Sequence, residues 1–287
     1  MANRIGKIDL HMHTTVSDGT DTPEALIKAV KMAGISLFSI TDHDAVKAAK
    51  ILPPLQKGAR PAFLSGVEFS CKDEFGKYHI LGYGYDPNHP AIEKVVGHGH
   101  SLRMKKLLAR LDFLKTEFGF VFPKEEIDAL SSLDNPGKPH IGNLMVKYGF
   151  AKTKEEAIND YIDRIHFGNE YVRPEEAIDG ILASGGIPVL AHPFYGSGNE
   201  LILGEEMENR LCRLMDFGLQ GLEVFYSGFP EKLSRAALAL AKKHRLYATA
   251  GSDYHGTNKL VRLGDTGLDE DGEYPEELLR FLDAVQK

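Results

Sequence analysis

Metal-competent side chains recur beside strand-like segments throughout this chain, and that recurrence constrains the fold more than any other feature. The segment Ile5 to His13 reads as a strand that ends in His11 and His13. Residues two apart on a strand share a face, so both imidazoles can reach one ion. Asp18 follows in the loop. Asp42 and His43 come just after the apolar strand Leu37 to Thr41, and Glu68 lies late in the strand Pro61 to Cys71. His192 ends Ile187 to Ala191, Glu223 lies within Leu219 to Phe225, and Asp253 and His255 follow Leu246 to Gly251. His79 stands apart, because it is near the start of the strand Tyr78 to Tyr85.

Helical signals separate many of these strands. Thr22-Pro23-Glu24 reads as a cap, a proline at the first helical position and an acid in the first turn. Strands separated by helices argue for a parallel α/β sheet, whose active face lies at the carboxyl ends of its strands. Between about residues 98 and 171 the pattern becomes helical and strand-poor. Leu107, Leu108, Leu111, Leu114 and Phe118 recur at helical spacing within Leu102 to Phe118. Further helices are expected after Pro123, over Ile141 to Tyr148 and over Thr153 to Arg164. The expected organisation is an α/β body over 1–97 and 172–287, split by a helical insertion over 98–171 that caps the substrate.

Composition removes other classes. The 287 residues are 43% hydrophobic and 26% charged, as in an ordinary globular protein, which excludes collagen-like and disordered chains. With 34 basic and 41 acidic residues the net charge is −7, so wrapping of duplex DNA by counterion release is not expected. Cys71 and Cys212 form no CxxC pair, and a reducing compartment suits them. With no signal-peptide core and no apolar run of the ~20 residues that span a bilayer, a cytoplasmic protein free of membrane partners is expected. The oligomeric state stays open.

A lone histidine is usually a satisfied core or surface group, and His89, His98, His100, His166 and His244 are read so. The remaining motifs carry a resemblance. Asp9-Leu10-His11-Met12-His13, Ser17-Asp18-Gly19 and Thr41-Asp42-His43-Asp44 resemble the opening of the PHP (polymerase and histidinol phosphatase) family. Gly66-Val67-Glu68, Ala191-His192-Pro193 and Gly251-Ser252-Asp253-Tyr254-His255 are similar to its later motifs, in order. The resemblance implies a distorted seven-stranded β/α barrel with an inserted helical subdomain and a trinuclear metal site. It implies one ion held by His11, His13, Glu68 and Asp253. Glu68 would bridge to a second, held also by His79 and His192, and Asp18, His43 and His255 would hold a third. Two to three divalent ions per chain are expected, and manganese, iron and zinc all suit imidazole and carboxylate donors.

The chemistry expected from that resemblance is in-line attack on phosphorus by a metal-bridging hydroxide. Asp42 is read as a carboxylate that orients a ligand histidine, and Glu223 either as a similar partner or as a structural group. His140, after Pro139 in the insertion, is the first candidate to contact substrate or donate a proton. Lys138 and Arg103 are candidates for a second phosphate, although related proteins carry arginine before Pro-His, and lysine binds as a point charge. Gly196-Ser197-Gly198-Asn199 lacks the rest of a P-loop and reads as a rim loop, and Asp269 to Glu273 as a solvated one.

The length and the stretch ending in Pro139-His140 resemble stand-alone phosphoesterases that act on nucleotides. A 3′,5′-bisphosphorylated nucleoside or a short oligoribonucleotide is therefore the expected substrate. Histidinol phosphate, a metal-dependent amidohydrolase reaction and a non-catalytic metal-binding module are the alternatives.

Overall fold

A computed structural model describes residues 6–52, 60–168, 170–196, 200–269 and 273–286. Seven strands neighbour one another in chain order: β1 (Lys7–Asp9), β2 (Ile35–Ile40), β3 (Ala62–Lys72), β4 (Lys77–Tyr83), β5 (Ile187–Leu190), β6 (Gly221–Tyr226) and β7 (Tyr247–Gly251). The sheet curls until its ends meet. Leu10 N donates to Ala250 O at 2.9 Å, and Met12 bridges in parallel to Tyr254. The result is a nearly closed barrel whose wall is made of buried apolar residues such as Leu10, Val67, Ile80, Val189 and Leu222.

Around it lie α1 (Pro23–Met32), α2 (Lys47–Ile51), α3 (Pro90–Phe118), α4 (Lys124–Ser131), α5 (Lys138–Lys147), α6 (Lys154–Glu156), α7 (Pro174–Ala183), α8 (Gly204–Asp216), α9 (Glu231–His244) and α10 (Glu276–Ala284). The cap expected for α1 is present, with Thr22 Oγ1 accepting from Ala25 N at 3.2 Å. No helix among the described residues is long and apolar enough to cross a membrane.

The parallel expectation fails at one strand. β4 is antiparallel to both β3 and β5, while the other strand pairs among the described residues are parallel. Only the short turn 73–76 joins β3 to β4. Asp73 Oδ1 pins it, accepting from Phe75 N at 2.7 Å and Gly76 N at 3.1 Å. A connection that short makes a hairpin, since a parallel return needs a crossover of a dozen residues or more.

The insertion also differs at its leading edge. No backbone break marks residue 98, because α3 runs unbroken for 29 residues from the proline at its start to Gly119, which ends it in the left-handed conformation (φ 70°). Gly99 permits close approach rather than breaking the helix: a Cβ there would lie 3.0 Å from Asp44 Cβ. The amino-terminal part of α3 (Ile92, Val95, Leu102) packs into the barrel core. Its later residues Leu107, Leu111 and Leu114 join Phe122, Ile141, Met145 and Ile162 in a second core. The expected helix over 153–164 is irregular, passing from α6 into a π-turn (Ala157–Tyr161) and a 3-10 turn (Ile162–Arg164).

Candidate metal centre and substrate cleft

The barrel brings the expected ligands to one end. His11 and His13 lie just past β1, His43 past β2, His192 past β5, and Asp253 and His255 past β7. His79 is near the start of its strand, yet β4 runs the other way, so its amino end lies with the carboxyl ends of its neighbours.

Glu68 is the hub. Its Oε2 lies 3.4 Å from His11 Nε2, 3.2 Å from His13 Nε2 and 3.1 Å from His43 Nδ1. Its Oε1 lies 2.8 Å from His79 Nδ1 and 3.4 Å from His192 Nε2. Asp253 Oδ1 is 3.5 Å from His11 Nε2 and 3.4 Å from both His13 Nε2 and His255 Nδ1. Asp18 Oδ1 is 3.3 Å from His255 Nε2, and its Oδ2 is 3.9 Å from His43 Nε2. Three overlapping groups have donor atoms mutually within 4.8 Å: His13, Asp18, His43 and His255; His11, His13 and Asp253; and His43, Glu68 and His79. They overlap the ligand sets implied by the family resemblance but are not identical to them, because His13 and His43 are each shared between two groups.

The donor set fits divalent ions. His11 Nε2, His13 Nε2 and Glu68 Oε1 are buried, and none has a hydrogen-bond partner among the described residues. Buried polar atoms are ordinarily satisfied, so three convergent orphans call for a ligand that accepts their lone pairs. Burial opposes ionisation of Glu68, but His79, His43 and His11 hold its carboxyl well below the usual range. Burial likewise opposes the charged form of Asp253, and Lys259 and His11 more than offset it.

An outer layer orients these groups. Glu223 Oε1 lies 2.9 Å from His11 Nδ1, and its Oε2 accepts from His192 N at 2.8 Å. That contact favours the orienting reading of Glu223. Asp42 acts at one remove from where it was expected. It bonds no imidazole; it accepts from Thr14 N, Thr14 Oγ1 and Ser17 Oγ at 2.7, 2.7 and 2.8 Å and so braces the loop carrying Asp18. Ser17 Oγ in turn lies 3.4 Å from His13 Nδ1. The outer oxygen of Asp253, Oδ2, is held by Tyr226 OH at 3.0 Å and by Lys259. His192 (φ 28°) and Asp253 (φ 57°) adopt left-handed backbone, a strain that folded proteins store at functional positions.

A cavity of about 370 Å³ opens beside the cluster, between the barrel and the insertion, with Asp18, His43, His79 and His192 at one side. The residues expected to contact phosphate already have partners here. Arg103 lines the cavity, but its charge is already engaged: Nε donates to Asp44 at 2.5 Å and Nη2 to Ser70 Oγ at 2.8 Å. Lys138 is half-exposed and 2.5 Å from Asp163. His140 Nδ1 accepts from Gly137 N at 3.0 Å, so the neutral ring carries its proton on Nε2. Burial moves His140 below the ordinary imidazole range, so the ring is held neutral and offers its Nε2–H as a hydrogen-bond donor.

The cations left free were not singled out from sequence. Lys106 and Arg110 are 6% and 7% exposed, line the same cavity, and have no carboxylate partner among the described residues. Lys106 Nζ sits 3.6 Å from the Tyr171 ring centroid, and Arg110 lies 5.0 Å from that of Phe167. The signal was available, because positions 103, 106 and 110 share one helical face. Lys259, by contrast, has no spacing that ties it to the site. Four of the five histidines set aside are otherwise engaged: His98 with Glu176, His244 with Glu208, His100 with Asp134 O and His89 as the cap of α3. Residues 197–199 of the glycine loop and 270–272 of the acidic stretch lie outside the described residues.

Residues 9–166 match the PHP domain family. The chain belongs to that family. It is 29% identical to the 3′,5′-nucleoside bisphosphate phosphatase of Chromobacterium violaceum, over 93% of each chain. It is 32% identical to the 5′-3′ exoribonuclease Rnm of Salmonella typhimurium, over 89% of this PHP chain and 87% of that one. Among solved structures it superposes, with TM-score 0.76, 27% identity and 96% coverage of both chains, on a Bifidobacterium adolescentis protein assigned as a metal-dependent phosphoesterase.

Proposed function

We propose that this PHP protein is a metal-dependent phosphoesterase that hydrolyses phosphate esters of nucleotides, either a 3′,5′-bisphosphorylated nucleoside or a short oligoribonucleotide. The observation that carries this reading is the position of two buried basic side chains without a carboxylate partner among the described residues, Lys106 and Arg110, in the cavity that opens onto the His–Asp–Glu cluster. A buried charge without a partner is costly, and a ligand that brings the opposite charge removes the cost. A substrate with one phosphate at the cluster and another anionic group in the cavity satisfies both. The named activities of the Chromobacterium and Salmonella relatives support it.

His11, His13, Asp18, His43, Glu68, His79, His192, Asp253 and His255 would hold the ions, two or three per chain, with manganese, iron and zinc as candidates. When bound, such ions lower the pKa of water and offset charge on the phosphoryl group. The chain supplies the rest. Glu223 fixes the rings of His11 and the backbone of His192, and Asp42 fixes the loop of Asp18. The His140 Nε2–H is a donor for a substrate oxygen, and Arg110 and Lys106 orient the distal anion. Lys138 and Arg103, paired with Asp163 and Asp44, shape the wall and contact substrate only by exchanging those partners.

Phosphate release by manganese-reconstituted protein tests the reading, with adenosine 3′,5′-bisphosphate, AMP, histidinol phosphate and a short 5′-phosphorylated RNA as substrates. Selective turnover of the bisphosphate or the RNA, lost in His13→Ala, is expected. Turnover of histidinol phosphate alone would overturn the substrate, and silence on all four with metal bound would overturn the activity.

A further inference from the structure

Lys106 is almost wholly buried, yet most of what faces it is cationic or aromatic. On α3, Arg103 lies nearly one turn before it and Arg110 one turn after. Lys77 faces it from β4, and Asp44 from beyond β2, although Arg103 already takes that carboxylate. The ring of Tyr171, just before α7, is 3.6 Å below its Nζ, and the same ring is approached by Lys77 at 5.5 Å and by Lys72 of β3 at 5.8 Å. Nothing in that set provides Lys106 with a negative charge of its own. The cavity it lines is where an anion would enter.

We propose that Lys106 takes up a proton as the anionic end of the substrate enters the cavity, and that this coupling makes Lys106 the residue that selects a doubly charged group there. The inference rests on the phosphoesterase reading above. In the empty site burial, with Arg103 next, pushes the Lys106 amine down to about 7, so above neutral pH the free enzyme holds it mostly uncharged on the face of Tyr171. An opposite charge within ~4–6 Å favours the ammonium again. A terminal phosphate brings close to two charges at pH 8, whereas a diester brings one, which Arg110 alone can meet. Arg110 remains charged throughout. Lys106 therefore adds most to ligands that end in a phosphomonoester.

Calorimetry of AMP binding to the manganese-loaded enzyme at pH 8, repeated in HEPES and in Tris, reads the proton count directly. AMP supplies one terminal phosphate that is already almost fully ionised at that pH. The wild type is expected to take up at least about half a proton more than Lys106→Arg, whose guanidinium stays charged, with the gap closing by pH 6. Lys106→Met is expected to weaken AMP and to show no uptake, and it carries the comparison if the arginine variant does not fold. AMP affinity of the wild type should also fall more steeply from pH 7 to 9 than that of Lys106→Arg, approaching about tenfold per pH unit. Equal uptake in wild type and Lys106→Arg, or none in either, would overturn the proposal. Hydrolysis of adenosine 3′,5′-bisphosphate without measurable AMP binding would also overturn it and leave the phosphoesterase reading standing. No hydrolysis of any phosphate ester by metal-loaded protein would overturn both.

Discussion

Glu223 Oε1 lies 2.9 Å from His11 Nδ1, deep in the barrel, where both side chains are wholly buried. The carboxylate holds the ring proton on Nδ1 and turns Nε2, without a partner, towards Glu68 and Asp253. The other Glu223 oxygen accepts from His192 N, so one carboxylate orients two proposed ligands. Glu223→Gln retains the size but not the charge. Metal affinity measured by titration of the stripped protein is expected to fall by roughly 10–100-fold, with far-ultraviolet circular dichroism unchanged. Unaltered affinity would show that Glu223 serves only the fold.

Glu68 touches five imidazoles, more than any other carboxylate in the site. Its replacement should therefore affect several ion positions at once. Glu68→Gln is expected to reduce bound metal below the wild-type stoichiometry and to lower kcat/KM by several kcal/mol, on the order of 10³-fold. Elemental analysis beside phosphate-release kinetics measures both, and full metal occupancy in the variant would remove Glu68 as a bridging group.

Lys106 links function to a stability cost whose sign can be worked out. Its folded pKa is about 7, pushed down first by burial, whereas an unfolded lysine titrates near ~10.4. Between those values the unfolded chain holds more protons, so stability rises with pH across the window, and below it the full penalty stands. Lys106→Met removes the penalty. The variant is expected to melt above the wild type at pH 6, by an amount of order a few kcal/mol, and the gain should shrink towards pH 10. Thermal melts of metal-loaded protein at pH 6, 8 and 9.5 measure it. A constant difference would mean that the amine is not buried without a counter-charge.

Gly251 ends β7 immediately below the candidate metal-binding residues. A Cβ there would lie 2.2 Å from His11 Cβ and 2.5 Å from Glu223 Oε1. Neither neighbour has room to yield, because each is fixed by the other. Gly251→Ala is expected to cost roughly 1–3 kcal/mol by overpacking and to lower metal affinity as His11 shifts. Denaturant unfolding together with metal titration separates the two effects, and a variant that matches the wild type in both would refute the close packing.

Much of the site is legible in the residue order because ligands placed two apart on strands, and just beyond strand ends, follow from local geometry alone. His11 with His13 and Asp253 with His255 are of this kind, as is the Thr22 cap of α1. His79 shows the limit. Its position near a strand start conflicts with the rest until the hairpin 73–76 reverses β4. Residue 98 shows a related limit, since only the structure reveals that α3 continues through it and that Gly99 lies against Asp44.

The sequence by itself determined the types of candidate metal-binding side chain, their order along the chain and the alternation of strands and helices, because those depend on side-chain chemistry and on short-range backbone periodicity. Tertiary structure decided which charges are free. Arg103 and Lys138 are basic in the sequence and neutralised in space, by Asp44 and Asp163. Lys106 and Arg110 look like an ordinary polar helix face, yet they are buried without a partner. Whether a charge is compensated depends on groups brought close by folding from distant parts of the chain, and no local pattern records that distance.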